Sequence, residues 1–394
     1  MAKLSTFSKT NPYSLSVKDN LSYLRYLDTG SITQNKIEQL QIFHDKNKLP
    51  SRAKRLVRKN NIIYSTVRPN QKHYGFIDEN IMNVIVSTGF AVIDVNEDIA
   101  DPYYVYLLLT QEEVTNYLQS IAEQSVTSYP SIKASDIENL EFNLPPIKTQ
   151  KIISNFIRTL DKKISVNESI NKNLEEQLST IFRSKFANKI EEIKLNGCSS
   201  KLEDFIDVID NRGKTPPLTN DDLSYPIIDV KALSGEDRCI NYNNCSKYVS
   251  SNTYANWFRN GHPQEKDIII STVGSLAEMK MFWGKKGCIA QNVVALRSKT
   301  NMAFYLYQYL KYIKNDLIAY DIGSVQPSIK VTHIVKHPIY LPKNEEIEYF
   351  NCLAEKATSI IRSNNIEKDC LIRIRDSLLP RLLTGEIDVS KIDS

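Results

Sequence analysis

The sequence of 394 residues contains no apolar run that approaches the roughly 18 residues of a membrane-spanning helix. Its first ten residues, MAKLSTFSKT, lack the apolar core of a secretory signal. All six cysteines lie in the second half of the chain, with no CxxC pair and no histidine cluster at zinc-site spacing. These absences predict a cytoplasmic protein with reduced thiols and no structural metal.

The signature of an adenine methyltransferase is also missing. Such an enzyme needs an (N/D)PP(Y/F/W) loop to hold the flipped adenine and a glycine-rich turn for its cofactor. The segments TNPYS around Asn11 and DPYY from Asp101 each lack the second proline, and no glycine-rich turn follows a strand. We interpret both segments as a turn or the start of a helix.

A magnesium-dependent nuclease is the enzymatic alternative that stays open. The segment PIIDVKAL places Asp229 two residues before Lys231, and a carboxylate at this D-x-K spacing can hold magnesium beside a lysine. The spacing is common by chance, so the end of an ordinary strand is the competing interpretation. A nuclease would cut DNA with magnesium alone, whereas a binding protein would not.

What the sequence does contain is an internal repeat. YPSIK at residues 129–133 returns as QPSIK at 326–330, an offset of 197 residues, which is half the chain. The apolar rows of the helical stretch after each copy coincide at the same offset. Upstream, NIIYSTVRP and DIIISTVGS resemble each other at an offset of 206. The two halves therefore share a scaffold and differ in the domains that precede it.

The shared stretch has the pattern of a long pairing helix. Its apolar residues alternate in steps of four and three, from 153 to 181 and again from 350 to 378. We predict two antiparallel helices with Asn167 and Asn364 at their midpoints, where the two amides should meet. The predicted pairing residues are Ile153, Leu160, Asn167, Leu174 and Ile181 in the first helix, and Phe350, Ala357, Asn364, Leu371 and Leu378 in the second.

The segments before the helices are rich in predicted strands. NIIYSTV, NVIVSTGFAVI, DIIISTV and CIAQNVVALRS have the β-branched content of buried strands. Tyrosine-rich stretches from Pro102 and Ala303 predict short helices whose rings belong to the core. The predicted fold is α+β: two mixed α/β domains separated by a pair of long antiparallel coiled-coil helices in a pseudo-two-fold repeat. The predicted boundaries are 1–146 and 198–342 for the domains, and 147–197 and 343–394 for the helices.

Basic residues are concentrated in two runs without acidic residues. Eight lie between Lys48 and His73, and seven lie between Met279 and Asn315. Such a run is often only a solvated face, but one in each domain favours binding to a polyanion. Polar residues that can contact base edges lie among them, because arginine suits guanine, and asparagine or glutamine suits adenine.

Several segments together resemble the specificity subunit of type I restriction-modification systems over nearly the whole chain. They are, in order, SRAKRLVRKNNIIYSTVRPN, LPPIKTQKIISNFIRTLDKKISVNESINKNLEEQ, NRGKTPP, GSVQPSIK and RDSLLPRLLTGEIDVSKI. The resemblance implies two target-recognition domains, each reading one half of a bipartite DNA target, with the helices as a spacer. The second helix departs from the repeat, with Ala357 and Glu367 at the positions of Leu160 and Ile170.

The resemblance also implies that the chain is not itself an enzyme. It would recruit two adenine methyltransferase subunits and, in the full assembly, two motor-nuclease restriction subunits. S-adenosylmethionine, ATP and Mg would then be held by those partners and not by this chain.

The candidate DNA contacts combine the basic runs with polar residues of the segments just quoted. In the first domain they are Arg52, Arg55, Arg58, Ser65, Thr66, Arg68, Asn70, Lys72, Tyr129 and Lys133. In the second domain they are Arg212, Lys214, Lys280, Lys285, Gln291, Asn292, Gln326 and Lys330.

Overall fold

The structure, a computed structural model, describes residues 1–16, 22–78, 83–125, 129–197, 199–284 and 286–389. It divides into two compact units, one of residues 1–162 with 371–394, and one of residues 163–370. The division falls inside the two long helices and not at their ends. Among the described residues, no helix is long and apolar enough to cross a membrane.

Residues 1–146 are called head 1 below, and the residues of it that the structure describes form short strands and three α-helices. The strands are β1 Ala2–Lys3, β2 Ser8–Thr10, β3 Leu24–Leu27, β4 Ile32–Thr33, β5 Lys36–Ile37, β6 Gln41–Phe43, β7 Ala53–Leu56, β8 Ile62–Ser65, β9 Tyr74–Phe76, β10 Val84–Ser87, β11 Phe90–Val95 and β12 Glu141–Phe142. The helices are α1 Pro102–Leu109, α2 Glu112–Glu123 and α3 Ala134–Glu138.

Two four-stranded sheets organise head 1. One has the order β2-β11-β8-β9 with antiparallel neighbours, and the other has the order β6-β3-β10-β7 with a parallel pair of β3 and β10. Helix α1 is buried along its whole length, and Tyr103, Tyr104 and Tyr106 pack in one core with Ile62 and Tyr64 of β8. The tyrosines of this stretch are therefore core residues, as the sequence predicts.

Residues 199–342, called head 2, follow the helix α4 Ile147–Asn196. The strands of head 2 are β13 Ile206–Ile209, β14 Tyr225–Ile228, β15 Tyr248–Val249, β16 Ile268–Ser271, β17 Met279–Met281, β18 Cys288–Ile289 and β19 Val293–Ser298. Its helices are α5 Ser251–Asn256, α6 Ala303–Tyr312, α7 Lys314–Ile318 and α8 Val331–Val335, and α9 Asn344–Leu383 comes after it.

The heads share their strand order although their lengths differ. The antiparallel sheet β13-β19-β16-β17 of head 2 corresponds to β2-β11-β8-β9, and the parallel pair of β14 and β18 corresponds to β3 and β10. The sequence prediction needs one correction. NVIVSTGFAVI and CIAQNVVALRS are not single strands, because each run breaks near its middle, at Thr88-Gly89 and at 290–292, and its two parts enter different sheets.

The two long helices run antiparallel where they pair inside residues 163–370. Asn167 Nδ2 donates to Glu367 Oε2 at 2.8 Å, and Asn364 Nδ2 donates to Asn171 Oδ1 at 2.8 Å. The predicted contact between Asn167 and Asn364 is therefore wrong. Glu367 is a charged residue of α9. Its carboxylate accepts the hydrogen bond from Asn167 and also pairs with Lys163 at 3.3 Å. The centre of the pairing moves by about two residues along each helix.

The other predicted pairing residues pack on a head as well as on the facing helix. In residues 163–370, Phe350 and Ala357 are buried in one core with α6, and Leu174 and Ile181 lie at its margin. In the other unit, Ile153 is buried in the core of head 1, Leu160 and Leu378 pack against it, and Leu371 is half-buried. Each helix therefore belongs to a mixed core and not to a free coiled coil.

Candidate nucleic-acid interface

Three segments of head 1 meet at one edge, called edge 1: residues 65–68 at the end of β8, the turn 88–89 before β11, and residues 129–132 of the repeated phrase. The N–H of Thr66 donates to the carbonyl of Gly89 at 2.8 Å. The N–H of Ile132 donates to the Thr66 carbonyl at 2.9 Å, and the N–H of Arg68 donates to the Pro130 carbonyl at 2.9 Å. Backbone hydrogen bonds thus fix the edge independently of its side chains.

Head 2 repeats this arrangement at edge 2, formed by residues 271–274, 291–292 and 326–329. Thr272 N–H donates to Asn292 O at 2.9 Å, Ile329 N–H to Thr272 O at 2.8 Å, and Gly274 N–H to Pro327 O at 3.0 Å. Ile329 is buried, as is its counterpart Ile132. The PSI phrase therefore recurs because its isoleucine is buried in the core of each head and its backbone forms the same hydrogen bonds at each edge.

The turn residue of each edge has a left-handed backbone. Gly274 adopts φ 87°, which glycine tolerates without strain, but Arg68 adopts φ 49°. A left-handed conformation at a residue other than glycine costs on the order of 1–3 kcal/mol and persists where the surrounding structure imposes it. Edge 1 thus retains an arginine at a position where glycine would be less strained.

A cleft of about 670 Å³ opens at edge 1. The Arg68 guanidinium lies 5.2 Å from the centroid of the Tyr129 ring beside it, within cation–π range. Four of the predicted DNA contacts line the cleft, and its other six lining residues, Gln71 and His73 among them, were not predicted. The lining residues are Thr29, Gly30, Arg52, Ser65, Val67, Arg68, Gln71, His73, Tyr129 and Ser131.

The basic run of head 1 has no neutralising partners in the part of the chain that the structure describes. None of its eight lysines and arginines forms an ion pair with a described carboxylate, and Arg52, Arg58 and Arg68 are exposed. Burial lowers the pKa of Arg55, whose Nη1 is buried without a hydrogen-bond partner. An uncompensated positive surface of this kind attracts phosphates.

The basic run of head 2 behaves differently. Acidic residues outside the run pair with four of its seven basic residues: Asp267 pairs with Arg297 at 2.7 Å, Asp207 with Lys299 at 3.8 Å, Glu175 with Lys311 at 3.2 Å and Glu278 with Lys314 at 2.8 Å. The prediction of uncompensated charge is wrong at these four residues, because a segment free of acids in sequence is not free of them in space.

The prediction that Lys280 contacts DNA also needs correction. Its side chain is 2% exposed, and its ammonium donates to the carbonyls of Gly235 and Asp237. It is therefore an interior residue and not a phosphate contact. Lys285 lies outside the described residues.

The remaining candidates of head 2 lie at or near its surface. Gln326 is exposed, and its Nε2 lies 3.8 Å from the position that a Cβ on Gly274 would occupy. Gln291 Nε2 donates to Thr215 Oγ1 at 2.9 Å, and Asn292 Oδ1 is buried without a partner. Lys214 and Lys330 are exposed, whereas Arg212 binds Asp210 through Nε at 2.8 Å.

In head 1, Thr66 belongs to edge 1 and donates its hydroxyl to Gly89 O at 2.9 Å. Asn70 and Lys133 are exposed, and Lys72 is half-buried with φ 55°. These residues stay predictions as DNA contacts.

A buried ionic cluster in residues 163–370 has no signal in the sequence. Arg238 has no solvent exposure, and its Nε and Nη2 donate to the two carboxylate oxygens of Glu175 at 2.7 and 3.1 Å. Its Nη1 donates to Thr358 Oγ1 of α9 at 3.1 Å. Burial alone would raise the pKa of Glu175, but the charges of Arg238 and Lys311 lower it to about 2. The cluster ties head 2 to both helices.

The enzyme-like segments have structural roles. Asp229 Oδ1 accepts the backbone N–H of Lys231 at 2.9 Å and caps a short helical turn. Asp101 caps α1 in the same way, accepting the N–H of Tyr104 at 2.9 Å. Within the described residues, no group of three or more histidines, cysteines or carboxylates is arranged to hold a metal ion.

Comparison with known proteins shows which sequences and structures this chain is similar to. The sequence profile of the type I restriction modification DNA specificity domain matches residues 8–176 and 198–356. The HindI specificity subunit of Haemophilus influenzae is 28% identical over 440 residues, covering 92% of this chain and 94% of that protein. A putative MjaX specificity subunit of Methanocaldococcus jannaschii is 25% identical, covering 75% and 70%.

Among solved structures, the crystal structure of a type I restriction-modification S subunit from M. genitalium has a TM-score of 0.57 to this chain. Its identity is 14%, over 97% of this chain and 95% of that one, so the likeness concerns the fold. The two segments matched by the family profile together cover well over half of the sequence. The chain belongs to the family of type I restriction modification DNA specificity domain proteins.

Proposed function

We propose that this chain is the non-catalytic subunit that gives a type I restriction-modification complex its DNA sequence specificity, with each head reading one half of a bipartite target. The observation that carries the proposal is the pair of edges: the same three backbone hydrogen bonds hold different side chains in the two heads. A constant backbone with variable side chains suits two related readers of different sequences.

The two parts of DNA binding fall on different residues in this proposal. Exposed arginines of head 1 contact phosphates, which supplies affinity without sequence information. Polar side chains at the two edges contact base edges in the major groove, which supplies discrimination. The helices α4 and α9 set the distance between the half-sites.

The same helices are the proposed attachment site for partner subunits. Val166 and Ile170 of α4 and Ile366 of α9 are 42%, 41% and 60% exposed, and exposed apolar side chains of this kind can be covered by a partner. We assign this surface to two adenine methyltransferase subunits, with two restriction subunits joining the full assembly. S-adenosylmethionine, ATP and Mg are then bound by those partners, in the cytoplasm where the DNA lies.

The test is a domain exchange. The chain would be expressed with its methyltransferase subunits, and methylated adenines in the host DNA would be sequenced. We expect one bipartite motif with a fixed spacer. Replacing residues 1–145 by the equivalent segment of a relative should change one half of the motif and leave the other half and the spacer intact. A change in both halves, or in neither, would refute independent reading.

A further inference from the structure

The two edges differ in a reciprocal way. At the turn residue, edge 1 has Arg68 and edge 2 has Gly274; at the residue before the PSI phrase, edge 1 has Tyr129 and edge 2 has Gln326. Because the backbone hydrogen bonds of the two edges are equivalent, Arg68 corresponds to Gly274 and Tyr129 corresponds to Gln326. Each edge therefore presents one characteristic pair: arginine with tyrosine, or glycine with glutamine.

In both heads the second residue of the pair lies beside the first. The Tyr129 ring centroid is 5.2 Å from the Arg68 guanidinium, and the Gln326 amide nitrogen is 3.8 Å from the Cβ position of Gly274. In edge 1 the ring supports a guanidinium that is exposed and not ion-paired to a described carboxylate. In edge 2 the absence of a side chain at Gly274 leaves the Gln326 amide as the polar group of the pair.

These pairs differ in hydrogen-bonding chemistry. A guanidinium only donates, which matches the O6 and N7 acceptors of guanine. A glutamine amide both donates and accepts, which matches the N7 acceptor and the N6 donor of adenine. The backbone of Arg68 is strained, with φ 49°. Strain of this kind is common where a side chain must be held in one direction for binding.

We propose that edge 1 reads a guanine through Arg68, with Tyr129 as a positioning residue, and that edge 2 reads an adenine through Gln326. This inference rests on the proposed function and adds the base that each head selects. It makes the two pairs interchangeable, because the turn already holds an arginine in head 1. At Gly274 an added Cβ would meet nothing nearer than the Gln326 nitrogen at 3.8 Å, an ordinary van der Waals distance, although the backbone φ of 87° is strained for any residue other than glycine.

The experiment uses the methyltransferase complex of the full chain, with methylated adenines sequenced and binding measured on duplexes that vary one base at a time. Arg68→Ala should weaken binding about 5- to 150-fold on the target and remove the preference for one guanine in the head 1 half, leaving the head 2 half unchanged. Arg58→Gln, an exposed arginine of the same run, should weaken binding equally on all sequences. An equally uniform loss for Arg68→Ala would make Arg68 a phosphate contact and overturn its assignment.

The second arm is the transfer of the pair. Gly274→Arg with Gln326→Tyr should replace one adenine by guanine in the head 2 half of the motif. Gln326→Ala, which leaves the backbone unstrained, should weaken the preference for adenine at that position, and it can be measured even if the double variant fails to fold. An unchanged head 2 half in a complex containing Gln326→Ala would overturn the assignment. A wild-type motif that is not bipartite would instead refute the proposed function, so the two failures are distinguishable.

Discussion

At the residue scale, Glu175 and Arg238 place opposite charges in the interior of residues 163–370. Burying either charge alone would cost several kcal/mol, so the pair persists only because both carboxylate oxygens and the guanidinium are satisfied. Lys311 adds a second cation at 3.2 Å from Glu175. The cluster is therefore sensitive to the removal of one member.

We expect Glu175→Gln to destabilise the protein by on the order of 3–5 kcal/mol at pH 7, because Arg238 would keep its charge without a counter-ion. The pKa of Glu175 is about 2 in the folded chain and near 4.5 otherwise. Its contribution is thus present above pH 4.5 and is lost as the pH falls toward 2. Urea unfolding across this range should show a steeper loss of stability for the wild type than for the variant.

Glu355→Gln is the matched control, because its pair with Lys266 at 2.7 Å is exposed on both sides. We expect less than about 1 kcal/mol from that change. Similar losses for the two glutamine variants would contradict the role assigned to the buried cluster.

At the element scale, the antiparallel pairing of α4 and α9 in residues 163–370 depends on a buried amide cluster. Asn171 accepts from Asn364 at 2.8 Å and donates to Asn365 at 3.0 Å. Buried polar pairs reduce stability relative to apolar residues but can fix the register of a helix pair. Register is what a spacer between half-sites requires.

A double-mutant cycle tests this cluster. Asn171→Leu alone should cost about 1–3 kcal/mol, since it removes the acceptor of Asn364 Nδ2 and the donor to Asn365 Oδ1, whereas Asn365 Nδ2 still donates to Asp237 Oδ2 at 3.2 Å. Asn171→Leu with Asn364→Leu should recover part of this loss in urea unfolding. The double variant should also methylate targets whose spacer is one base pair longer or shorter. Unchanged spacer discrimination would show that other contacts fix the register.

At the scale of the whole molecule, the two heads differ in how their basic runs are neutralised. The run of head 1 has no described ion-pair partner, whereas most of the described cations in the head 2 run are paired with acids or buried. Each phosphate contact contributes about 0.9 to the slope of log binding constant against log salt. Head 1 should therefore carry more of the salt dependence.

We expect Arg52→Gln with Arg58→Gln to lower that slope by up to about 1.8, measured for the complex between 50 and 200 mM salt. Lys299→Gln with Lys314→Gln, which changes the same charge in head 2, should leave the slope nearly unchanged because both lysines are already paired. An equal drop for the two double variants would contradict the division of charge between the heads.

The sequence by itself determined the features that depend on local pattern. The repeat at an offset of 197, the long helices, the core tyrosines and the family all follow from periodicity and short motifs. These are local because hydrophobic periods of two or 3.6 residues specify which side of a strand or helix is buried. The position of the PSI phrase at an edge could be suspected from its repetition, but not its hydrogen bonds.

Only the tertiary structure decided which charges and amides meet. Arg238 and Glu175 are 63 residues apart, Lys311 and Glu175 are 136 apart, and Asn171 and Asn364 are 193 apart. Nothing in a local pattern encodes such pairs, since electrostatic energy depends on distance in space and on burial. For the same reason most of the described cations in the acid-free run of head 2 are paired with acids or buried, and the helix register differs from the one that symmetry of the repeat predicts.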